Sequence, residues 1–426
     1  MKYAIVTLGC KVNQFETQAM EALLASHGHR PTEDGDADVV IVNTCAVTAE
    51  SGRKSRQALR RLLGENPGAV AAVCGCYSQI SPEDAEALGA QVIFGSGDRT
   101  AFVAAVERAA EERESERSVD DPFRRRELEF LPAGAMDGRT RAYMKIEDGC
   151  DNFCAYCVIP YARGRVRSMP LAQAAAEAAR LEREGFLEIV VSGIEIASYG
   201  KDLRDGTTLT DAVCAIAQAA PGTRVRLGSL EPRVVTEEFC RRLSALGNIC
   251  PHFHLSLQSG CDRTLAAMGR KYDTERFRES AALLREAFPG CALTADLIAG
   301  FPGETEEDFA STLDFLREVR FAAMHVFPYS VRPGTKAAAM PQHTRAVKEA
   351  RARQAQRVAD ELEEEYLRAQ VGRTLSVLFE TGEGGVWQGH SENYCLVRAE
   401  GEALHGIMKN VKIQAVRGKN LVGMML

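Results

Sequence analysis

Short runs of consecutive apolar residues alternate along most of this chain with stretches in which apolar positions recur every three or four residues. The runs Tyr3–Val6, Asp38–Val42, Ala69–Val73 and Gln91–Phe94 read as strands separated by helical patterns. A parallel strand pair needs a crossover long enough to hold a helix, so this order predicts a parallel α/β domain over residues 1–106. Between Glu107 and Glu129 aliphatic residues nearly vanish in favour of Glu, Arg and Asp. Such a stretch cannot seed a core, and residues 107–139 are expected to form a charged linker. The alternation resumes over 140–343. Strands are expected at Tyr143–Ile146, Leu187–Val191, Arg224–Gly228, Phe253–Leu257, Ala292–Ile298 and Ala323–Phe327, with helices such as Leu171–Glu184, Leu209–Ala220, Thr274–Ala287 and Glu306–Val319 between them. Six units of this length suit a partial (β/α)6 barrel, whose chemistry would lie at the carboxyl ends of its strands.

Residues 344–370 read as one connecting helix. Its first half carries Arg345, Lys348, Arg351, Arg353 and Arg357, and its second half Asp360, Glu361, Glu363, Glu364 and Glu365. The signs oppose the helix dipole, so the basic half is expected to have another use. Beyond Gly372 the period shifts to two, with strands at Thr374–Glu380, Trp387–Ser391, Tyr394–Ala399, Val411–Val416 and Asn420–Leu426. A small OB-like β-barrel over 371–426 is the expected result. The fold class is therefore α/β, with a parallel N-terminal domain, a central partial barrel and a C-terminal β-barrel.

Composition narrows the class further. The 426 residues suffice for about three domains, and a formal charge of −7 with 45% hydrophobic residues describes an ordinary globular chain. An acidic chain does not hold nucleic acid by bulk charge, so an RNA partner must meet local basic patches. No apolar run reaches the roughly 18 residues of a membrane span, and no basic leader precedes the first strand, so a cytoplasmic protein without a membrane partner is expected. In that reducing compartment an odd count of 13 Cys is not a disulfide framework. Metal or catalytic sulfur is the better reading.

The sharpest sulfur signal is Gly149-Cys150-Asp151-Asn152-Phe153-Cys154-Ala155-Tyr156-Cys157, a CxxxCxxC directly after the first barrel strand. Thiolates ligate Fe–S clusters and zinc, but structural zinc takes four ligands, and neither a second Cys pair nor a nearby His completes this set. A cluster on three Cys instead leaves one iron open to a small molecule. Cys10, Cys45 and Cys76 each follow the end of a separate N-terminal strand. Parallel strands bring those ends to one edge, where α/β sheets bind ligands. Cys74 lies nearer a strand interior, and Cys214, Cys240, Cys250, Cys261, Cys291 and Cys395 share no spacing; all are expected to be structural.

With these motifs on the page, the chain resembles the radical S-adenosylmethionine (SAM) methylthiotransferases nearly end to end. The resemblance is carried in order by Leu8–Gln14, Val42–Cys45, Gly75–Gln79, Lys145–Cys150, Ile159–Gly164, His254–Gly260 and Gly300–Thr305. It implies two [4Fe–4S] clusters. An auxiliary one would sit on Cys10, Cys45 and Cys76, and a SAM-cleaving one on Cys150, Cys154 and Cys157. It also implies a C-terminal TRAM domain that contacts RNA, an electron donor and a sulfur source. Leu8–Gln14, followed by Glu16 and Met20, most resembles the branch that methylthiolates C2 of N6-threonylcarbamoyladenosine 3′ of the tRNA anticodon. Two departures stand out: Glu195, where the family pattern leads us to expect Asn or His, and Met169, where it leads us to expect Arg.

Weaker candidates come from position alone. Ser229, Glu231 and Gln258 close barrel strands and are placed to contact SAM. Arg163, Arg165 and Arg167 follow the cysteine loop and are expected to hold tRNA phosphates or a substrate carboxylate. Trp387 and Tyr394 are expected either to stack on unpaired bases or to join the small barrel's core. Gly300–Thr305 lacks the Lys of a phosphate loop, so Thr305 and Asp308 read as a helix start. Three alternatives remain: action on isopentenyladenosine in tRNA, action on a ribosomal-protein aspartate, and a non-enzymatic Fe–S or zinc sensor that binds RNA.

Overall fold

The computed structural model of the chain describes residues 1–132 and 140–426. Its first domain is a six-stranded parallel sheet in the order Arg30–Pro31, Lys2–Thr7, Val39–Thr44, Val70–Gly75, Val92–Phe94, Glu116–Ser118. Val39–Thr44 and Val70–Gly75 are buried along their whole length, as central strands covered by helices on both faces must be. Met20, Leu24, Phe102 and Val103 cover one face, and Leu59 and Leu62 the other.

The charged stretch departs from the expected linker. The helix Arg99–Glu112 runs into it, and Glu116–Ser118 pairs in parallel with Val92–Phe94 as the sixth strand. Charged side chains suit an edge strand because they discourage pairing with another chain, so this composition marks a sheet edge as well as a connection. Residues 133–139 of the expected linker lie outside the described residues.

Six parallel strands form the central domain, in chain order Arg141–Lys145, Glu188–Ser192, Arg224–Leu227, His252–Gln258, Ala292–Ala299 and Ala323–Pro328. The third strand ends its ladder at Leu227, and Ser229–Leu230 then pairs with the fourth. Among the described residues the first and last strands do not pair, so the arc stays open as a partial barrel. The connecting helix Arg345–Arg368 closes its flank, burying Ala355, Val358, Ala359 and Leu362 in the barrel core. Its basic half does have a use: Arg351 is buried and donates to Glu304 Oε2 at 2.9 Å, while Lys348 lies over the Tyr329 ring. Thr305 and Asp308 form a capping box that starts the helix Glu306–Val319.

The C-terminal strands Thr374–Glu383, Val386–Ser391, Leu396–Glu400, Asn420–Met425 and Met408–Arg417 close into a barrel in that spatial order. Closure leaves no sheet edge exposed. Tyr394, expected in the third strand, stands before it at φ 67°. Its ring stacks with His252 and with His390, at 4.7 Å from each, and the Arg226 guanidinium lies over it. Tyr394 thus joins the two barrels while itself remaining exposed. Trp387 packs partly buried against its own barrel's core.

One buried carboxylate secures that junction. Glu188 takes Arg224 Nε at 2.5 Å and Arg226 Nε at 2.7 Å. The same two arginines donate to the backbone oxygens of Ser376, His390, Ser391 and Glu392 in the small barrel. Burial alone would raise the Glu188 carboxyl, but Arg226, Arg224 and Arg141 hold it at about 2. Glu188→Gln leaves buried guanidinium charge uncompensated, at a cost of about 3–5 kcal/mol. Limited proteolysis should then release the segment after Val371 at protease levels that leave the parent chain intact; equal resistance of the two would refute this role.

Candidate active site

Three loops bring Cys10, Cys45 and Cys76 to one edge of the first sheet. Gly9 has φ +110°, and a Cβ there would fall 2.8 Å from Cys45 Cβ and 2.9 Å from Cys45 Sγ. Only glycine lets these two loops approach so closely. Cys76 opens the short helix Cys76–Ile80 directly after its strand. Burial raises all three thiols; Cys45 adds to the effect at Cys10, Cys76 at Cys45 and Cys10 at Cys76, so each senses another of the set. The placement expected of parallel strands therefore holds for all three. Cys74 is instead packed inside the sheet among Val39, Ile41 and Val92.

The second triad lies in the loop after Arg141–Lys145. Gly149 has φ +90°, and a Cβ there would meet Arg165 O at 1.9 Å, so the loop turns against the backbone of the segment that follows it. Burial raises Cys150, with Cys157 and Cys154 contributing, and pushes Cys157 up to about 12, with Cys154 and Cys76 contributing. The Cys157–Cys76 interaction makes the triads neighbours across the domain boundary, where Cys76, Ala46, Val158 and Ala162 share an apolar contact.

Each donor set offers three thiols, the ligand type that iron–sulfur clusters and zinc both take. Among the described residues, the only group of three whose donor atoms all lie within 4.8 Å of one another is His27, His29 and Glu107. Hydrogen bonds are aimed at the sulfurs as well: Arg163 Nε to Cys76 at 3.1 Å, Arg270 Nη1 to Cys154 at 3.2 Å and the Ile159 N–H to Cys157 at 3.4 Å. Cationic donors favour thiolate, the form that ligates metal.

The arginines after the cysteine loop divide into two kinds, which corrects the expectation that all three bind substrate. Arg163 is fully buried and donates to Glu16, to Asp148 Oδ2 at 3.3 Å and to Asn13 Oδ1 at 2.8 Å. Arg167 is buried too; its Nη1 donates to the backbone oxygens of Arg163 and Arg165, and its Nη2 lies 3.7 Å from Asp148. Burial and these partners turn both side chains inward. Arg165 alone is exposed, stacked over Phe123 and Phe153 and paired with Asp151 at 3.0 Å. Arg99 and Lys145 complete the buried network by pairing with Glu16 at 2.9 and 3.2 Å.

Of the residues proposed to meet SAM, Ser229 faces an internal cavity, Glu231 is buried against Arg233 at 2.6 Å, and Gln258 ends its strand at φ 66°. Three groups beside the barrel triad carried no signal in the pattern of the chain. Glu147 is buried, with its carboxyl raised well above the usual range by burial and Oε1 unpartnered. Glu195, one of the two departures, is raised to about 7 by burial and accepts from Asn152 Nδ2 at 3.3 Å. Arg270 leaves Nη2 without a partner. Buried polar atoms left unsatisfied in this way suit a zwitterionic ligand.

The cavity, about 730 Å³, runs through the open barrel. Gly9, Cys10 and Lys11 line one side, Gly193 and Ser229 the strand ends, and Tyr366 and Tyr394 the floor. Its mixed wall carries a polar patch in which His252 and His254 both meet Thr294 Oγ1 and His254 lies 3.4 Å from Asp296.

Comparison with known proteins agrees with this geometry. Residues 144–316 match the radical SAM superfamily, and residues 2–95 match the uncharacterized protein family UPF0004. The radical SAM methyltransferase TsrM from Kitasatospora setae has a similar fold, at TM-score 0.56 and 17% identity over 90% of this chain and 79% of its own. The chain is a radical SAM enzyme. It is 37% identical, over 96% of its length and 93% of the relative's, to threonylcarbamoyladenosine tRNA methylthiotransferase MtaB of Bacillus subtilis (strain 168). It is also 32% identical, over its whole length and 97% of the relative's, to tRNA-2-methylthio-N(6)-dimethylallyladenosine synthase of Pelotomaculum thermopropionicum. The chain belongs to the tRNA methylthiotransferase family, and its class of reaction is radical SAM methylthiolation of tRNA with a [4Fe–4S] cluster and SAM as cofactors. No helix among the described residues is long and apolar enough to cross a membrane.

Proposed function

We propose that this enzyme converts N6-threonylcarbamoyladenosine 3′ of the tRNA anticodon to its 2-methylthio derivative, using two [4Fe–4S] clusters. The reading rests above all on two neighbouring thiol triads, one of which opens through Cys10 onto the barrel cavity. A SAM-bound cluster on Cys150, Cys154 and Cys157 supplies the radical chemistry that an inert adenine C2–H bond requires, and a second cluster on Cys10, Cys45 and Cys76 supplies the sulfur.

The chain itself binds and orients. Glu195 and Glu147 offer carboxyl oxygens to the SAM ammonium, Glu147 through its unpartnered Oε1, Arg270 offers its free Nη2 to the SAM carboxylate, and Ser229 and Gln258 face the remainder. Arg163 holds Cys76 in place through its 3.1 Å contact. The barrel walls keep water from the reacting carbon and hold it at a near-attack distance of about 3–3.5 Å. Arg398, Lys409, Lys412 and Arg417, exposed on the small barrel, supply phosphate contacts for the tRNA. An electron donor and a sulfur source complete the cycle from outside the chain, in the cytoplasm.

The test is methylthiolation by the anaerobically reconstituted enzyme with SAM and reductant, on tRNA carrying threonylcarbamoyladenosine, dimethylallyladenosine or plain adenosine 3′ of the anticodon. Nucleoside mass spectrometry should find the methylthio product on the first alone. Product on dimethylallyladenosine would reassign the substrate, and no 5′-deoxyadenosine with any tRNA would remove the radical reading altogether.

A further inference from the structure

We infer that Lys11 is the carboxylate-recognising residue of the barrel cavity and decides which purine modification the enzyme accepts. The inference rests on the proposed threonylcarbamoyl substrate and deepens it. Among the described residues, Lys11 and Lys419 are the only Lys or Arg side chains that line the cavity. Lys419 is already neutralised, at 2.6 Å from Glu363 and 2.9 Å from Asp360. Among the described residues Lys11 has no hydrogen-bond or ion-pair partner. The carboxylates nearest in the barrel are committed elsewhere: Asp296 to His254, and Glu188 to Arg224 and Arg226. Half-buried Lys11 feels Arg226 and Arg141 on one hand and the committed carboxylates Glu188 and Asp296 on the other, and none of them pairs with it directly. Buried charge without a partner is costly, so such a group is expected to meet an anion supplied by a ligand.

Position and chemistry then identify the anion. Lys11 directly follows Cys10, the thiol that faces the cavity, at one Cα–Cα step of about 3.8 Å. In adenine, C2 and the N6-bearing carbon flank the same ring nitrogen. Four bonds, roughly 5 Å, separate N6 from the threonyl carboxylate. A base whose C2 is presented beside Cys10 thus carries its carboxylate within the sweep of a four-carbon lysine stem. A dimethylallyl group at N6 offers Lys11 nothing and would bury the ammonium against hydrocarbon. The same side chain therefore attracts one modification and rejects the other, which is how a pocket built around a charge discriminates. The planar fork of Arg163, which the charge pattern favours for this task, is already occupied, and Arg167 is buried against Asp148.

The test compares wild type, Lys11→Gln and Lys11→Arg as reconstituted holoenzymes. Three tRNAs are used: one bearing threonylcarbamoyladenosine, the same tRNA with that carboxylate methyl-esterified, and one with plain adenosine. Wild type should favour the free acid over the ester by roughly tenfold to a hundredfold in kcat/KM, the loss expected for one charge-assisted bond. Lys11→Gln should erase that ratio while binding plain tRNA as wild type does, and Lys11→Arg should restore part of it. Iron content and uncoupled SAM cleavage show whether the variants are intact. Should Lys11→Gln fail to assemble, wild-type indifference to the ester still overturns the proposal. A full acid-to-ester preference in an intact Lys11→Gln enzyme overturns it too. If wild type acts instead on dimethylallyladenosine, the substrate reading is what fails.

Discussion

Replacing Cys150, Cys154 and Cys157 together by Ala is expected to abolish SAM cleavage and remove about half of the reconstituted iron. The rest should stay with Cys10, Cys45 and Cys76. The triads lie on different domains and on different loops, so one can be emptied without dismantling the other. Cys157 and Cys76 interact across the boundary electrostatically. The matching triple change at Cys10, Cys45 and Cys76 should end methylthiolation while leaving uncoupled 5′-deoxyadenosine release. Iron and sulfide analysis with product chromatography decides both cases. Persistent SAM cleavage in the barrel variant would show the assignment to be wrong.

Nearly as large an effect is expected for Glu16→Gln, far from any sulfur ligand by role. Glu16 is 1% exposed and is held by Arg163 and Lys145 of the barrel and by Arg99 of its own domain. Burial pushes its carboxyl up, but Arg163, Arg99 and Lys145 overcome that and hold it well below the usual range. Removing this charge leaves buried cations facing Asp148 alone, at about 3–5 kcal/mol. In a domain of this size that lowers the first unfolding transition by about 10 °C or more. Arg163 also orients Cys76, so iron at the N-terminal site should fall with it. Exposed Glu50→Gln, which breaks only a surface pair with Arg53, serves as the control and should shift nothing measurable.

The pH dependence of the wild type follows from the same network. Burial raises Asp148, while Arg163, Lys145 and Arg167 pull it down to about 2. A carboxylate whose folded value is depressed contributes stability that is complete above its unfolded value, near 4, and is lost as pH falls through the folded value. Acid should therefore loosen the joint between the first two domains in the window from about 4 down to about 2. Glu16→Gln should be less acid-sensitive there than wild type, because one titrating partner is gone. Thermal scans across that range check the sign.

The chain by itself determined most of its secondary elements and the α/β class with its two barrels, and it singled out the two Cys triads as candidate sulfur sites. Those are carried by local pattern: uninterrupted apolar runs such as Val39–Val42, a CxxxCxxC loop, and Cys residues placed after strands that must share an edge. Gly9 and Gly149 were visible as letters, but only the close approach of Cys45 and Arg165 O shows why no side chain fits there. Tertiary structure alone decided which charges are spent. Arg163, Arg165 and Arg167 look alike in sequence, yet two are buried braces and one is exposed, because partners come from Glu16 and Asp148 on other elements. Tyr394 reads as a base-stacking or core aromatic, and only the fold shows that His252 and His390 stack with it where the barrels meet. Glu147, Glu195 and Arg270 carry no periodic signal, since burial and a missing partner are properties of the assembled fold. Lys11 stands out for the same reason: one lysine among many in the chain, it becomes distinctive only when every other charge around the cavity is seen to be paired.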